Sequence, residues 1–364
     1  ARSAWDVLPE GERDVLRAYA EGVNAGIDSL EALPPEYRIL GAKPEPWEPL
    51  DSMIWIKSMG WLLSASAGTD ALRDALEAEL GEAQAAWFLP ETPDDGVRIL
   101  PPDQRGPAGT GEGEGESGGE GGGEGERGGS RSGTQAGALA ALDGLLGWGE
   151  GLGSNNWVIA GERTDSGSPL LANDPHLPVS APSIWFLVDL HGPDFHVEGA
   201  SFPGVPGVVL GHNDEVAWGL TNAPFDVQDL YRERLDPADP TFVLREGGRE
   251  ALKTVEEIIR IKGRRPVVER VRISSLGPLV TDFYPGYDDE LALRWTALDE
   301  GDTTLSSIFA LMRAASAEEV LEALRGFVAP CQNVVFADRS GRIGWKIPGH
   351  VPVRRGFDGR GAGR

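Results

Sequence analysis

Gly151-Leu152-Gly153-Ser154-Asn155-Asn156-Trp157 is the stretch whose reading decides the fold. A long run of small polar residues ends there and a strand-like pattern begins. Asn156-Trp-Val-Ile-Ala160 and Pro169-Leu-Leu-Ala172 flank Thr164-Asp-Ser-Gly167. Turn residues between two apolar runs predict a β-hairpin. Ser154 stands at its head. A cut between Gly153 and Ser154 would give that hydroxyl an α-amine of its own. An α-amine has a pKa of about 8, lowered by partial burial, and can serve as the base without a separate histidine. The plain alternative is a turn that enters a strand, and the tetrapeptide alone does not exclude it.

Working outward, Pro101 to Gly137 is built from Gly, Glu, Ser, Pro and Arg with hardly an apolar side chain. Such a composition cannot bury enough surface to offset chain entropy and predicts a flexible spacer. Its chance matches to Gly-x-Gly-x-x-Gly follow no strand and carry acids that repel phosphate, so nucleotide binding is not expected there. Before the spacer the pattern is helical. Val15, Leu16, Tyr19, Val23, Ile27 and Leu30 form one stripe from about Glu10 to Leu33, ended by Pro34-Pro35. A second helix is expected after Pro49 with Asp51 as N-cap, and a third from Ala71 to about Trp87 capped by Thr69-Asp70. Beyond the first hairpin, strands are expected at 183–190, 195–198, 207–210, 216–218, 254–261, 267–273 and 291–295, then helices at 305–315 and 317–326. A last hairpin turns at Asp338-Arg-Ser-Gly341.

Composition narrows the function. The 364 residues carry a formal charge of −25, which opposes binding to a phosphate backbone. An apolar share of 40% with 11 Trp and 11 Phe can build a core, and no apolar run reaches the about 20 residues a bilayer span needs. One cysteine, Cys331, excludes an internal disulfide and a thiolate metal cluster. No Gly-x-Ser-x-Gly elbow joins a strand to a helix, and neither a Gly-Lys-Ser/Thr phosphate loop nor His-Glu-x-x-His occurs. The five histidines (176, 191, 196, 212, 350) lack metal-ligand spacing along the chain. The chain opens inside helical sequence and stops without a closing element, and it reads as an internal piece of a longer precursor.

Several motifs then occur in order: Ser154-Asn-Asn-Trp157, Asn173-Asp-Pro-His176, Pro203-Gly-Val-Pro-Gly207, Gly211-His-Asn213, Trp218-Gly-Leu-Thr-Asn222 and Asp226-Val-Gln-Asp-Leu-Tyr231. Together they resemble the penicillin acylase (penicillin amidase) family of N-terminal-nucleophile hydrolases, which includes acyl-homoserine-lactone and cephalosporin acylases. Ala20-Glu-Gly-Val-Asn24 and Pro44-Glu-Pro-Trp47 resemble its small subunit. The resemblance implies an α+β fold, the αββα sandwich of that superfamily. It implies a helical small-subunit segment (1–101), an excised spacer (102–153) and the N-terminal part of a large subunit (154–364).

It also implies roles. Ser154 matches the nucleophile, and His176, 22 positions on, a residue near its amine. Penicillin G acylases carry Gln at that place, and lactone-type and cephalosporin-type acylases carry His. Asn222 matches the backbone N–H donor of an oxyanion hole and Asn333 the side-chain donor. Arg355 matches a supporting arginine, with Arg354 as the alternative. Asp226, the Gln228 carbonyl and Asp229 match a Ca²⁺ loop, and Asp70 falls where the family's small subunit offers Glu. A surface acidic loop is the plain alternative for these acids. The implied activity is hydrolysis of a small-molecule N-acyl amide after self-cleavage at Gly153-Ser154, with an acyl-homoserine lactone or related acyl amide as substrate. A penicillin or cephalosporin acylase proper and a non-catalytic calcium-stabilised binding protein are the rivals. The implied partners are the two subunits of one precursor, without nucleic acid or membrane span, in the periplasm or outside the cell.

Overall fold

The computed structural model describes residues 1–64, 66–89, 153–177, 180–193, 195–284 and 286–363. The expected spacer lies outside these residues, apart from Gly153. Segment 1–89 is helical: α1 (Arg2–Val7), α2 (Glu10–Asp28), α3 (Pro35–Leu40), α4 (Pro49–Leu62), α5 (Ser66–Leu80) and α6 (Glu82–Phe88). None of the described helices is long and apolar enough to cross a membrane.

Three helix boundaries differ from the sequence reading. α2 stops at Asp28, well short of Leu33. In α4 Asp51 is not the cap but lies in the first turn, where its carboxylate accepts the N–H of Glu48 at 2.7 Å, with Pro49 leading the helix. α5 starts before Thr69-Asp70, because Ser66 is anchored by accepting the N–H of Gln228 at 2.9 Å. Gly81, at φ +80°, then divides the expected single helix into α5 and α6.

From Gly153 onward the chain is mainly strand: β1 (Gly153–Ile159), β2 (Leu170–His176), β3 (Phe186–His191), β4 (His196–Ser201), β5 (Leu210–Asn213), β6 (Val216–Asn222) and β7 (Gln228–Glu233). Small antiparallel additions follow, β8 to β13, between Leu235 and Pro278. Then come β14 (Glu290–Trp295), α7 (Thr304–Leu311), α8 (Ala317–Ala323), β15 (Gln332–Asp338) and β16 (Ile343–Lys346). The strand expected over 207–210 begins only at Leu210. The Val209 carbonyl accepts the Trp218 indole N–H at 3.0 Å and so leaves the ladder. The segment read as a metal loop is largely strand: Gln228 and Asp229 open β7, which pairs with β14.

A six-stranded antiparallel sheet, ordered β16-β15-β6-β5-β4-β3, organises the rest. One face buries Trp218, Leu220, Val334 and Phe336 against Ile308 and Phe309 of α7, Val320 of α8, and Leu8, Leu16 and Met53 of the N-terminal helices. A second core packs Ala67 and Ala71 of α5 on Leu230, Leu291 and Leu293 of β7 and β14. Both cores therefore join the helical segment to the strands.

The other face of the sheet receives the β1–β2 hairpin, whose register pairs Asn156 with Asn173. Pairing of β5 with β6 ends at Gly211–Trp218, so the next outward-pointing groups of β6 have no strand beside them. Asn173 takes them. Its Oδ1 accepts the Leu220 N–H at 2.8 Å and its Nδ2 donates to the Leu220 carbonyl at 2.9 Å. Asn156 Nδ2 donates to the Asn333 carbonyl at 3.0 Å. The contact is close enough that a Cβ on Gly219 would stand 2.8 Å from Asn173 Cβ.

Asn173→Ala is expected to strand two main-chain groups of a buried strand and to lower stability by about 1–3 kcal/mol. Gly219→Ala should destabilise through the clash with Asn173. Urea melts of the three proteins check both, and parent-like midpoints would contradict the docking role of Asn173.

Candidate active site

β1 carries Ser154 on the same side of the strand as Asn156, the side that meets the sheet. Ser154 is half-buried, and its Oγ accepts the main-chain N–H of His176 at 3.2 Å. The contact is made by the backbone of His176. The residue itself is exposed, and in register it faces Gly153.

Asn222 ends β6. The antiparallel alternation of bonded and non-bonded pairs sets the direction of its main-chain N–H. Ala223 N–H donates to the Cys331 carbonyl at 3.1 Å, and Gln332 N–H turns the other way to the Pro348 carbonyl at 3.2 Å. The Asn222–Gln332 pair is thus non-bonded, and the Asn222 N–H points off the ladder, on the side that β5 leaves free. Asn333 Nδ2 donates to the Asn222 carbonyl at 3.3 Å, so both residues expected as donors meet at the end of β6. The Asn222 side chain is occupied elsewhere. It donates to the Leu63 carbonyl at 3.1 Å and accepts from Gln332 Nε2 at 3.2 Å.

Ser154, Thr221, Asn222 and Gln332 border a cavity that runs into the core. Its walls are apolar: Ile56, Met59 and Leu63 from α4 and its end, Leu220 from β6, Ile308 and Leu311 from α7, and the stacked Trp185–Phe202 pair with ring centroids 4.3 Å apart. Two lining residues, Trp185 and Ser307, hold a buried polar atom (Nε1 and Oγ) with no hydrogen-bond partner. A serine hydroxyl and the end of β6 thus border one apolar cavity, with the Asn333 amide bonded to the same end of β6.

Asp70, Asp226, Gln228 and Asp229 gather between α5 and β7. Arg354 is the cation among them. Its Nε bonds Asp229 Oδ1 at 2.8 Å, and its terminal nitrogen lies 3.0 Å from Asp226 Oδ2. Arg355 is exposed, in a cleft with Asp229 and Tyr231, and neither arginine is placed against Ser154. Asp70 Oδ2 and Asp226 Oδ1 are buried with no hydrogen-bond partner among the described residues. Burial, together with the charges of Asp226 and Asp229, pushes the Asp70 carboxyl up to about 9. Asp226 is raised as well, by burial, against the pull of Arg354. Orphaned carboxylate oxygens fit a divalent cation with oxygen ligands. Sequence reading missed Asn156, Asn173 and Thr221 as site builders. Asparagine is depleted in strands, so two of them at facing positions of one hairpin were the available signal.

The profile of the family described as penicillin amidase matches residues 1–363. An acyl-homoserine lactone acylase QuiP of Pseudomonas aeruginosa is 34% identical over 361 residues, covering 95% of this chain and 40% of that protein. The penicillin acylase 2 proenzyme of Pseudomonas sp. strain SE83 is 30% identical, covering 97% and 43%. A thermostable penicillin G acylase from Alcaligenes faecalis superposes with a TM-score of 0.50 at 25% identity, over 55% of this chain and 36% of that one. The site is thus set in a mixed helix and sheet framework shared with acylases. The chain belongs to the penicillin amidase family. It spans about 40% of the length of the curated relatives it matches.

The acid cluster has a measurable consequence in chelated protein. A folded-state carboxyl at about 9 against an unfolded value of 3.8 means that the folded protein keeps a proton the unfolded chain releases. Stability should therefore fall as pH rises through that window. Asp70→Asn removes the titrating group, so in chelator its unfolding constant, from urea melts at a series of pH values, should rise less between pH 5 and pH 9, by about 0.5–1 log unit less per pH unit. Identical pH profiles for parent and variant would contradict the placement of Asp70.

Proposed function

We propose that this chain carries the catalytic centre of an N-terminal serine amidohydrolase that cleaves small N-acyl amides. The observation that carries the reading is that Ser154 and Asn222 line one apolar cavity, with the Asn333 amide bonded to the Asn222 carbonyl. In maturation Ser154 Oγ attacks the Gly153 carbonyl, and the acyl group shifts from nitrogen to oxygen. Water then splits the ester into a Gly153 carboxylate and a free Ser154 α-amine. In turnover that amine accepts the hydroxyl proton as Oγ attacks the substrate carbonyl. Asn222 N–H and Asn333 Nδ2 hold the oxyanion, the amine product leaves with the proton, and water hydrolyses the acyl-Ser154 ester. The His176 N–H aims Oγ before attack.

The apolar walls suit an acyl chain, and the higher identity to a lactone acylase favours an N-acyl-homoserine lactone over a β-lactam amide. Unpartnered Ser307 Oγ supports an acyl chain with a hydrogen-bonding substituent. Asp70, Asp226, the Gln228 carbonyl and Asp229 would hold Ca²⁺, which would neutralise the buried acids and fasten the small-subunit helix α5 to the large-subunit strand β7. Arg354 rather than exposed Arg355 then supports the site, through Asp229. The complete fold is the four-layer αββα sandwich, and the enzyme works in the periplasm or outside the cell.

Ser154→Ala in the full-length precursor should abolish the cut at Gly153–Ser154, and intact-mass spectrometry reads the result. Two normal chains from the variant would refute an N-terminal Ser154. In matured protein, Asn333→Ala should lower kcat and kcat/KM together by about 10²–10³ on an N-acyl-homoserine lactone, while Asn222→Ala, which keeps its main-chain N–H, loses far less. A reversed order would overturn the donor assignment.

A further inference from the structure

Three of the five histidines that look scattered along the chain meet on one face of the sheet. In the β3–β4 hairpin His191 pairs with His196, and Asp189 pairs with Glu198. Side chains two apart on a strand, or opposite each other across a pair, share a face, so Asp189, His191, His196 and Glu198 stand together. His212 of β5 adds to the row, with Nε2 at 2.8 Å from Glu198 Oε1.

Both Nε2 atoms lie close to one carboxylate oxygen. Asp189 Oδ1 lies 3.0 Å from His191 Nε2 and 3.1 Å from His196 Nε2. The two imidazoles stack with centroids 4.1 Å apart and planes 13° from parallel. All three candidate ligand atoms lie within 4.8 Å of one another. Zinc–nitrogen and zinc–oxygen bonds of about 2.0–2.2 Å place neighbouring ligand atoms about 3.3–3.6 Å apart around a tetrahedral ion. Two of the three separations, 3.0 and 3.1 Å, need to open by only a few tenths of an ångström to reach it. The other nitrogen of His196 is held as well: Nδ1 lies 3.1 Å from Asp214 Oδ1. A ligating imidazole commonly gives its second N–H to a carboxylate, which fixes the tautomer and the ring orientation.

We propose that His191 Nε2, His196 Nε2 and Asp189 Oδ1 bind a zinc-class divalent cation, with water in the fourth position and Asp214 orienting His196. Two imidazoles and one carboxylate suit Zn²⁺ and not the all-oxygen preference of Ca²⁺ or Mg²⁺. The strongly acidic chain concentrates cations at its surface. Bound there, the ion clips the edge strand β3 to β4. The same hairpin carries Trp185 and Phe202 at its other end, where they line the cavity. The site is independent of the amidase reading.

The test uses the full-length protein saturated with calcium and titrated with zinc sulfate in a calorimeter. One equivalent of zinc should bind to the parent, and His191→Gln combined with His196→Gln should lose it. Asp214→Asn keeps every ligand yet should weaken binding about 10–100-fold. Circular dichroism confirms that these surface variants are folded. Zinc binding that is absent from the parent, or unchanged in the double variant, would overturn the proposal and leave Asp189 as a plain hydrogen-bond bridge between two histidines.

Discussion

One side chain substitutes for a missing strand. Beyond Trp218, β5 no longer accompanies β6, and the Leu220 N–H and carbonyl would face an apolar interior unpaired. The primary amide of Asn173 has the same donor and acceptor pair as a peptide group and occupies the place of one. That substitution fixes the height and register of the β1–β2 hairpin over the sheet. Two residues further along β6, the same gap is left open at Asn222. A main-chain N–H that is paired cannot hold an oxyanion, so in the proposed reaction the early end of β5 would leave this donor available, and Asn173 keeps the hairpin docked over the gap.

The helical segment belongs to this arrangement and is more than an appendage. Lys57 of α4 meets buried Asp302 ahead of α7, and the Leu63 carbonyl holds the Asn222 side chain. Asn24 and Trp47, each part of a sequence motif, pair through one amide: Asn24 Oδ1 accepts the Trp47 N–H at 2.7 Å and Asn24 Nδ2 donates to the Trp47 carbonyl at 2.9 Å. Tyr19 accepts the Gly204 N–H at 2.9 Å. These are short-range, directional contacts around shared apolar cores. They keep α4 against the cavity whether or not the chain is continuous at Gly153, which a maturation cut at that bond requires.

Much of this was legible in sequence, for identifiable reasons. The β1–β2 and β15–β16 hairpins announce themselves by turn residues between apolar runs, and both form with the expected partners. β7 did not, because Gln228, Asp229 and Arg232 hide its period. Asp229 and Arg232 find their partners in Arg354 and Asp74, both distant in sequence. Asp51 resembles a cap because it does serve a helix start, but from inside the first turn. Ser154 and Asn333 could be named from motifs, whereas the direction of the Asn222 N–H follows only from strand register. The histidine cluster was invisible for the same reason: cross-strand neighbours have no fixed spacing along a chain.

In the proposed reaction the end of β5 leaves the Asn222 N–H to act with Asn333 on the charged oxygen that forms at acylated Ser154. That arrangement is tested most directly by a crystal structure of the matured full-length protein carrying an alkylboronic acid on Ser154 Oγ. The account expects one boronate oxygen within about 2.7–3.1 Å of both Asn222 N and Asn333 Nδ2, with the alkyl chain in the cavity lined by Leu220 and Ile308. A boronate oxygen turned away from both donors, or an Asn222 N–H bonded to a protein carbonyl, would contradict it.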